Sequence, residues 1–126
     1  MSNTLITAES LRENPDWIFV FGDNLLRTGY GGAAALRDEP NTYGFVTKLF
    51  PDDNSGSYYK PSDYVPVYCS EMALLIEQIK SNPFQTFLIS KLGAGLANKF
   101  HIFEEVIEPT IRTLLAPYPN VTFLWD

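Results

Sequence analysis

Six of the chain's eight glycines fall in or beside two short stretches: Gly22, Gly29, Gly31 and Gly32 in one, Gly93 and Gly95 in the other. Each stretch follows an apolar run and precedes a helix-forming one. Glycine lets backbone amides approach a ligand closely, and a helix start favours negative charge. Two such loops after two different strands suit a diphosphate gripped from both sides, although tight turns alone also use glycine. Neither loop fits G-x-x-x-x-G-K-[ST], which argues against a P-loop NTPase, and Gly29-x-Gly31 followed by Ala34 matches G-x-G-x-x-G only in part. Lys48 follows the apolar run Tyr43-Gly44-Phe45-Val46-Thr47. A lysine at a strand end, facing a cleft with a lowered pKa, can attack a masked sugar aldehyde; a plain surface cation is the alternative.

Other reactive side chains point to less. His101 is the single histidine, placed just before a helical stretch, so Ser-His-Asp chemistry would depend on it alone. Cys69 is the single cysteine and reads as packing inside a helix; it rules out an intrachain disulfide and a cysteine-based zinc site. A lone thiol fits a reducing compartment. Asp52 and Asp53 lack a histidine or spaced carboxylate partner and read as a solvated loop, so no metal is expected. Tyr58, Tyr59 and Tyr64 flank that loop and suit either an aromatic lid or ordinary packing.

These residues need a frame. A chain of 126 residues with 45% hydrophobic and 19% charged residues is long enough for one globular domain, read as 1–126. The formal net charge of -6 argues against bulk nucleic-acid binding, yet backbone amides can still hold a small anion. No apolar stretch is long enough for a membrane span, and Met1-Ser2-Asn3-Thr4 shows no basic leader. A cytoplasmic chain without a membrane partner is expected.

Thr7 caps a short helix that Pro15 stops. Trp17-Ile18-Phe19-Val20-Phe21 reads as an interior strand ended by Gly22. Ala33–Arg37 reads as a helix closed before Pro40, and 51–61 as a loose surface loop. Ser62 caps a long helix with Pro66 in its first turn and Val65, Tyr68, Met72, Leu75, Ile76 and Ile79 on one face. Strands follow at Phe84–Ser90 and Val121–Trp125, with a helix over Ile102–Leu115 interrupted at Pro109. Strand–helix alternation predicts an α/β fold: a mostly parallel central sheet with helices on both faces.

The run Asn24-Leu25-Leu26-Arg27-Thr28-Gly29-Tyr30-Gly31-Gly32-Ala33-Ala34-Ala35 resembles the first ligand loop of macro domains. Tyr43-Gly44-Phe45-Val46-Thr47-Lys48 resembles that family's next strand, and Ile89-Ser90-Lys91-Leu92-Gly93-Ala94-Gly95-Leu96 its second glycine loop. Val121-Thr122-Phe123-Leu124-Trp125-Asp126 resembles the closing strand. The chain is also similar to small phage-associated macro-like proteins, which would place it in a host cytoplasm. The resemblance spans about residues 17–126 and implies a compact, macro-domain-like three-layer fold that binds a small-molecule nucleotide such as ADP-ribose, or a related nucleotide-sugar diphosphate.

By that resemblance, Gly29, Tyr30, Gly31, Gly32 and Ala33 contact the diphosphate and distal ribose, and Gly93, Ala94, Gly95 and Leu96 close over them beside Ser90. Asn24 orients the ribose or serves as a turn residue, and Phe100 lines the ribose pocket or packs in the core. The resemblance also implies an alternative, an ADP-ribosyl glycohydrolase with Lys48 as the active group. That branch pairs its lysine with an aspartate where this chain has Ala97, which leaves Asp23 as the substitute. A non-catalytic sponge for a nucleotide signal and a subunit-contact module are further alternatives. No cofactor is implied. Only about sixteen residues precede Trp17, so the adenine end of such a pocket is the part least defined by the resemblance.

Overall fold

The structure is a computed structural model that describes residues 5–125. Met1 to Thr4 and Asp126, with the readings made on them, lie outside the described residues. The fold is α/β, built on four parallel strands: β1 (Trp17–Asn24), β2 (Thr42–Lys48), β3 (Thr86–Ile89) and β4 (Val121–Phe123). Their spatial order is β2-β1-β3-β4. The helices are α1 (Ala8–Glu13), α2 (Pro61–Ser81) and α3 (Ile111–Leu115).

Alternation along the strands divides the interior in two. Val20, Phe87 and Ile89 join Tyr64, Tyr68, Met72, Leu75 and Ile79 of α2, with Ile107, Ile111 and Leu115, in the main core. Phe19, Phe21, Leu88 and Leu124 point to the opposite face, where Ile6, Leu11 and Ala34 cover them. Side chains of period two therefore give β1 and β3 two buried faces, as a covered parallel sheet requires.

The edge strand β2 is completed by side chains rather than by another strand. On its outer side the Val46 amide donates to Glu71 Oε1 at 2.7 Å, and the Tyr64 hydroxyl donates to the Val46 carbonyl at 2.6 Å. An edge that α2 covers and satisfies in this way is protected from pairing with another chain.

Several element boundaries differ from expectation. Gly22 does not end β1, which continues to Asn24 because β2 pairs with it throughout. The alanine run is a 3-10 turn over Gly32–Leu36, too short before Pro40 to wind into an α-helix. Lys60, not Ser62, caps α2, and Pro61 takes the first helical position, which suits its missing amide. Pro66 therefore falls in the second turn, and the expected face is buried at Tyr68, Met72, Leu75 and Ile79, with Tyr64 in place of the exposed Val65. Cys69 is exposed rather than packed. The 51–61 segment is pinned by a bridge between Lys48 and Tyr58 and by the Leu49 amide donating to the Ser57 carbonyl at 2.9 Å. Tyr59 and Tyr64 are buried, so these tyrosines form no lid. Phe84 and Ser90 lie outside β3, and Leu124 and Trp125 outside β4. The stretch from Ile102 opens as a π-helical turn over Phe103–Ile107, and α3 resumes beyond Pro109.

Burial pushes the Tyr64 phenol up, with Glu71 adding to the effect, and burial likewise raises Tyr43, Tyr59 and Tyr68. A raised folded-state pKa means that stability is fully present below the unfolded tyrosine pKa, about 10, and falls as pH rises above it. We expect urea midpoints to be flat up to about pH 9 and to drop beyond about pH 10. Tyr64→Phe should lower stability at neutral pH by about 1 kcal/mol and should flatten the alkaline decline.

Candidate functional site

Strand order reverses at β1. From β1 the chain moves to β2 on one side, then returns to place β3 on the other. In open parallel sheets the loops after such neighbouring strands leave in opposite directions and open a crevice at the carboxyl ends. A cleft of about 440 Å³ lies at that place, bordered by the ends of β1 and β2, the first glycine loop and the segment Ser90–Ala97. Small-molecule sites commonly have volumes of roughly 300–1,000 Å³.

The cleft brings together Asp23, Asn24, Gly29, Tyr30, Gly31, Gly32, Ala33, Lys48, Ser90, Gly93, Gly95 and Leu96. It does not include Ala94, which packs on the main core, or Phe100, whose ring lies beneath Lys60 Nζ at 5.7 Å. Ala97 is buried and borders the cleft. His101 stays on the surface, with Nδ1 3.7 Å from Glu104.

Asp23 is the best-anchored of these residues. Its side chain is 2% exposed, and Arg37 Nη2 donates to Oδ1 at 2.6 Å while Nη1 donates to Oδ2 at 3.2 Å. Arg27 Nη1 lies 3.5 Å from Oδ2, and the Asn24 amide donates to Oδ1 at 2.8 Å. The same Arg37 fork reaches into the glycine loop: Nε donates to the Gly29 carbonyl at 2.7 Å and Nη2 to the Thr28 carbonyl at 3.1 Å. A planar guanidinium with five donors can bind a carboxylate and two carbonyls at once, which an ammonium cannot. Asn24 completes the loop from within: Nδ2 donates to the Thr28 carbonyl at 2.8 Å, and Oδ1 accepts from the Leu26 amide at 3.0 Å.

Gly44 on β2 makes room for this arrangement. A Cβ there would lie inside van der Waals contact of the Asp23 carboxylate, and the Gly44 carbonyl accepts from Arg27 Nη1 at 2.7 Å. Arg37, Arg27 and Gly44 carry no motif signal: Arg37 folds back onto Asp23 and the glycine loop, and Arg27 and Gly44 meet only across the β1–β2 pair. A buried aspartate beside a glycine loop calls for a cation, and Arg37 was the signal available.

The second loop is shaped by packing. Gly93 has φ +78, and a Cβ there would come within 2.6 Å of Ile107 Cδ1. From this loop Leu96 leans across the cleft, where Cδ1 lies 3.3 Å from the positions a Cβ would take on Gly31 or Gly32. Among the described residues, no backbone carbonyl accepts from the amides of Gly31, Gly32, Ala33, Gly95 or Leu96. Donors on both loops are thus free for a ligand or solvent.

Residues 1–98 match the model of a family of unknown function, DUF7831. The chain belongs to that family. No curated protein and no solved structure matches the chain. The family match takes in β1, both glycine loops and the Asp23–Arg37 pair, and it ends before the π-helical turn, α3 and β4.

The charges bordering the cleft are Asp23, Lys48 and Lys91. Arg37 pairs with Asp23, which leaves Lys48 and Lys91 as the other charged residues bordering the cleft, and Lys91 Nζ lies 5.2 Å from the centre of the Phe103 ring. Lys48 Nζ rests 4.6 Å from the centre of the Tyr58 ring.

Removing one partner of a buried ion pair typically costs about 3–5 kcal/mol. We expect Asp23→Asn to lower the urea-unfolding free energy by about 3 kcal/mol. Arg37→Lys should restore only part of the stability that Arg37→Ala loses, because one ammonium cannot replace the fork. Gly44→Ala should destabilise by about 1–3 kcal/mol through overpacking, and the same unfolding assay checks it.

Proposed function

We propose that the cleft binds ADP-ribose or a related nucleotide-sugar diphosphate through its two glycine-rich loops. The observation that carries this reading is that both glycine loops border one cleft at the strand-order reversal and carry amides that no backbone carbonyl takes up. Amides of both loops can donate to a diphosphate, and Lys48 supplies countercharge. The resemblance to macro domains in the order of both loops supports the sugar-nucleotide class over other anions. A cytoplasmic ligand of this kind, in a phage-infected host or otherwise, belongs to the same reading.

Binding without turnover is the form we favour. Asp23 is the carboxylate bordering the cleft, and its oxygens are held by Arg37, Arg27 and the Asn24 amide. A general base must be free to take a proton, and a carboxylate bound this fully is a poor one. Ala97 offers no replacement.

Calorimetry with ADP-ribose, ADP and NAD tests the binding claim. ADP-ribose should bind with a stoichiometry of about one, as a site between the two glycine loops requires, and Gly31→Glu should abolish binding with the melting temperature preserved. Retained affinity in Gly31→Glu would reduce the loop to a turn. The hydrolase alternative is separated by release of ADP-ribose from modified protein or nucleic acid. We expect no release by the wild type; release that Lys48→Ala abolishes would establish the catalytic reading instead.

A further inference from the structure

Four of the chain's five lysines gather at the cleft and its mouth. Lys48 and Lys91 border the cleft itself. Lys48 Nζ and Lys99 Nζ share the Tyr58 ring, at 4.6 Å and 5.5 Å from its centre. Lys60 Nζ lies 5.7 Å from the centre of Phe100, the neighbour of Lys99 in the chain. Lys80, the fifth, is in the last turn of α2. Lys48 and Lys99 on Tyr58, with Lys60 on the adjacent Phe100, thus form a row of cations and rings that starts at the cleft, while Lys91 Nζ lies over Phe103.

Among the described residues, the carboxylates close enough to form ion pairs do so with Arg12, Arg27, Arg37 and His101, not with these lysines. Asp52 is the acid that feels Lys48, and it is engaged by the Asn54 amide and the Ser57 hydroxyl. Two ammonium groups brought to one ring repel each other, and a polyanion relieves that repulsion. A basic row beside aromatic rings is how proteins follow a single strand, whereas net charge describes only the average surface.

We propose that the cleft also accepts the phosphorylated end of a single-stranded nucleic acid, its terminal nucleotide taking the place of the nucleotide diphosphate and its next phosphates lying along Lys48, Lys99 and Lys60. This rests on the nucleotide-diphosphate reading of the cleft. A strand end reaches a narrow cleft where a duplex interior cannot. Lys60 and Lys99 lie outside the cleft and so contribute to the strand without touching a mononucleotide.

Fluorescence anisotropy with a 5′-phosphorylated ten-nucleotide oligothymidylate, set beside ADP-ribose calorimetry, tests this. The oligonucleotide should bind wild type at low salt, with affinity falling as salt rises. The double variant Lys60→Gln/Lys99→Gln should weaken the oligonucleotide about tenfold and reduce the log–log salt slope by roughly 0.7 per lysine removed, with ADP-ribose affinity unchanged. ADP-ribose binding without oligonucleotide binding, or an unchanged slope in the variant, overturns the strand proposal and leaves the cleft reading standing. Oligonucleotide binding that survives Gly31→Glu unchanged also overturns it, because the strand end would not be in the cleft. Equal binding of an oligoglutamate peptide of the same length, lost in the same variant, assigns the lysines to acidic protein instead. Failure of both ligands overturns both readings.

Discussion

The Asp23–Arg37 pair is the constraint on which the cleft depends. A carboxylate at the end of β1, buried to 2% exposure, is tenable only beside a cation that also satisfies its lone pairs. Arg37 does this and then reuses its remaining donors on the Thr28 and Gly29 carbonyls, so neutralising the charge and shaping the loop are one act. Gly44 follows from the same pair, since any side chain there would occupy the carboxylate's place. Arg27, held at φ 56, adds a tie from the loop to the Gly44 carbonyl and to Asp23. Strain of this size in a non-glycine residue persists where surrounding contacts over-determine it.

That pair also changes the meaning of the net charge of -6. The chain's acids are numerous, yet the acid at the cleft is cancelled internally, and four of the five lysines lie at the cleft or on the loops beside it. An average over the surface argues against phosphate ligands; the local distribution argues for them. The distinction is physical, because screening confines exposed charges to interactions over about 10 Å.

How much of this was legible in the sequence varied with the range of the interactions involved. The strands, the two glycine loops and α2 were readable because periodicity and chain breakers are local signals. Twelve of the fourteen residues assigned to the site by sequence border the cleft, for the same reason: they sit at strand ends and in the loops that follow. Arg27 and Gly44 are not assigned because their roles arise only when β1 and β2 pair, and Arg37 because it folds back from the 3-10 turn onto Asp23 and the Thr28 and Gly29 carbonyls. The face of α2 is as the periodicity predicts at Tyr68, Met72, Leu75 and Ile79, and differs only in its first turn, where Tyr64 is buried and Val65 exposed. That exchange matters, since Tyr64 and Glu71 act in place of a neighbouring strand for the edge of β2. The alanine run failed as an α-helix because propensity cannot overcome a span closed by Gly32 and Pro40.

The two loops are held by different physics, and this bears on how the cleft works. The first loop is tied by charge and hydrogen bonds to Asp23, Arg37 and Asn24. The second is tied by packing, with Gly93 fitted against Ile102 and Ile107 and its left-handed backbone leaving no room for a side chain. Leu96 is where the two loops meet, a mostly exposed side chain leaning on Gly31 and Gly32. Glycine at both positions allows that approach, and the apolar contact is small enough for a ligand to displace. A diphosphate entering between the loops would exchange this contact for amide hydrogen bonds on either wall. Affinity would then depend on the polar loop keeping its shape while Leu96 moves, which returns the burden to Arg37.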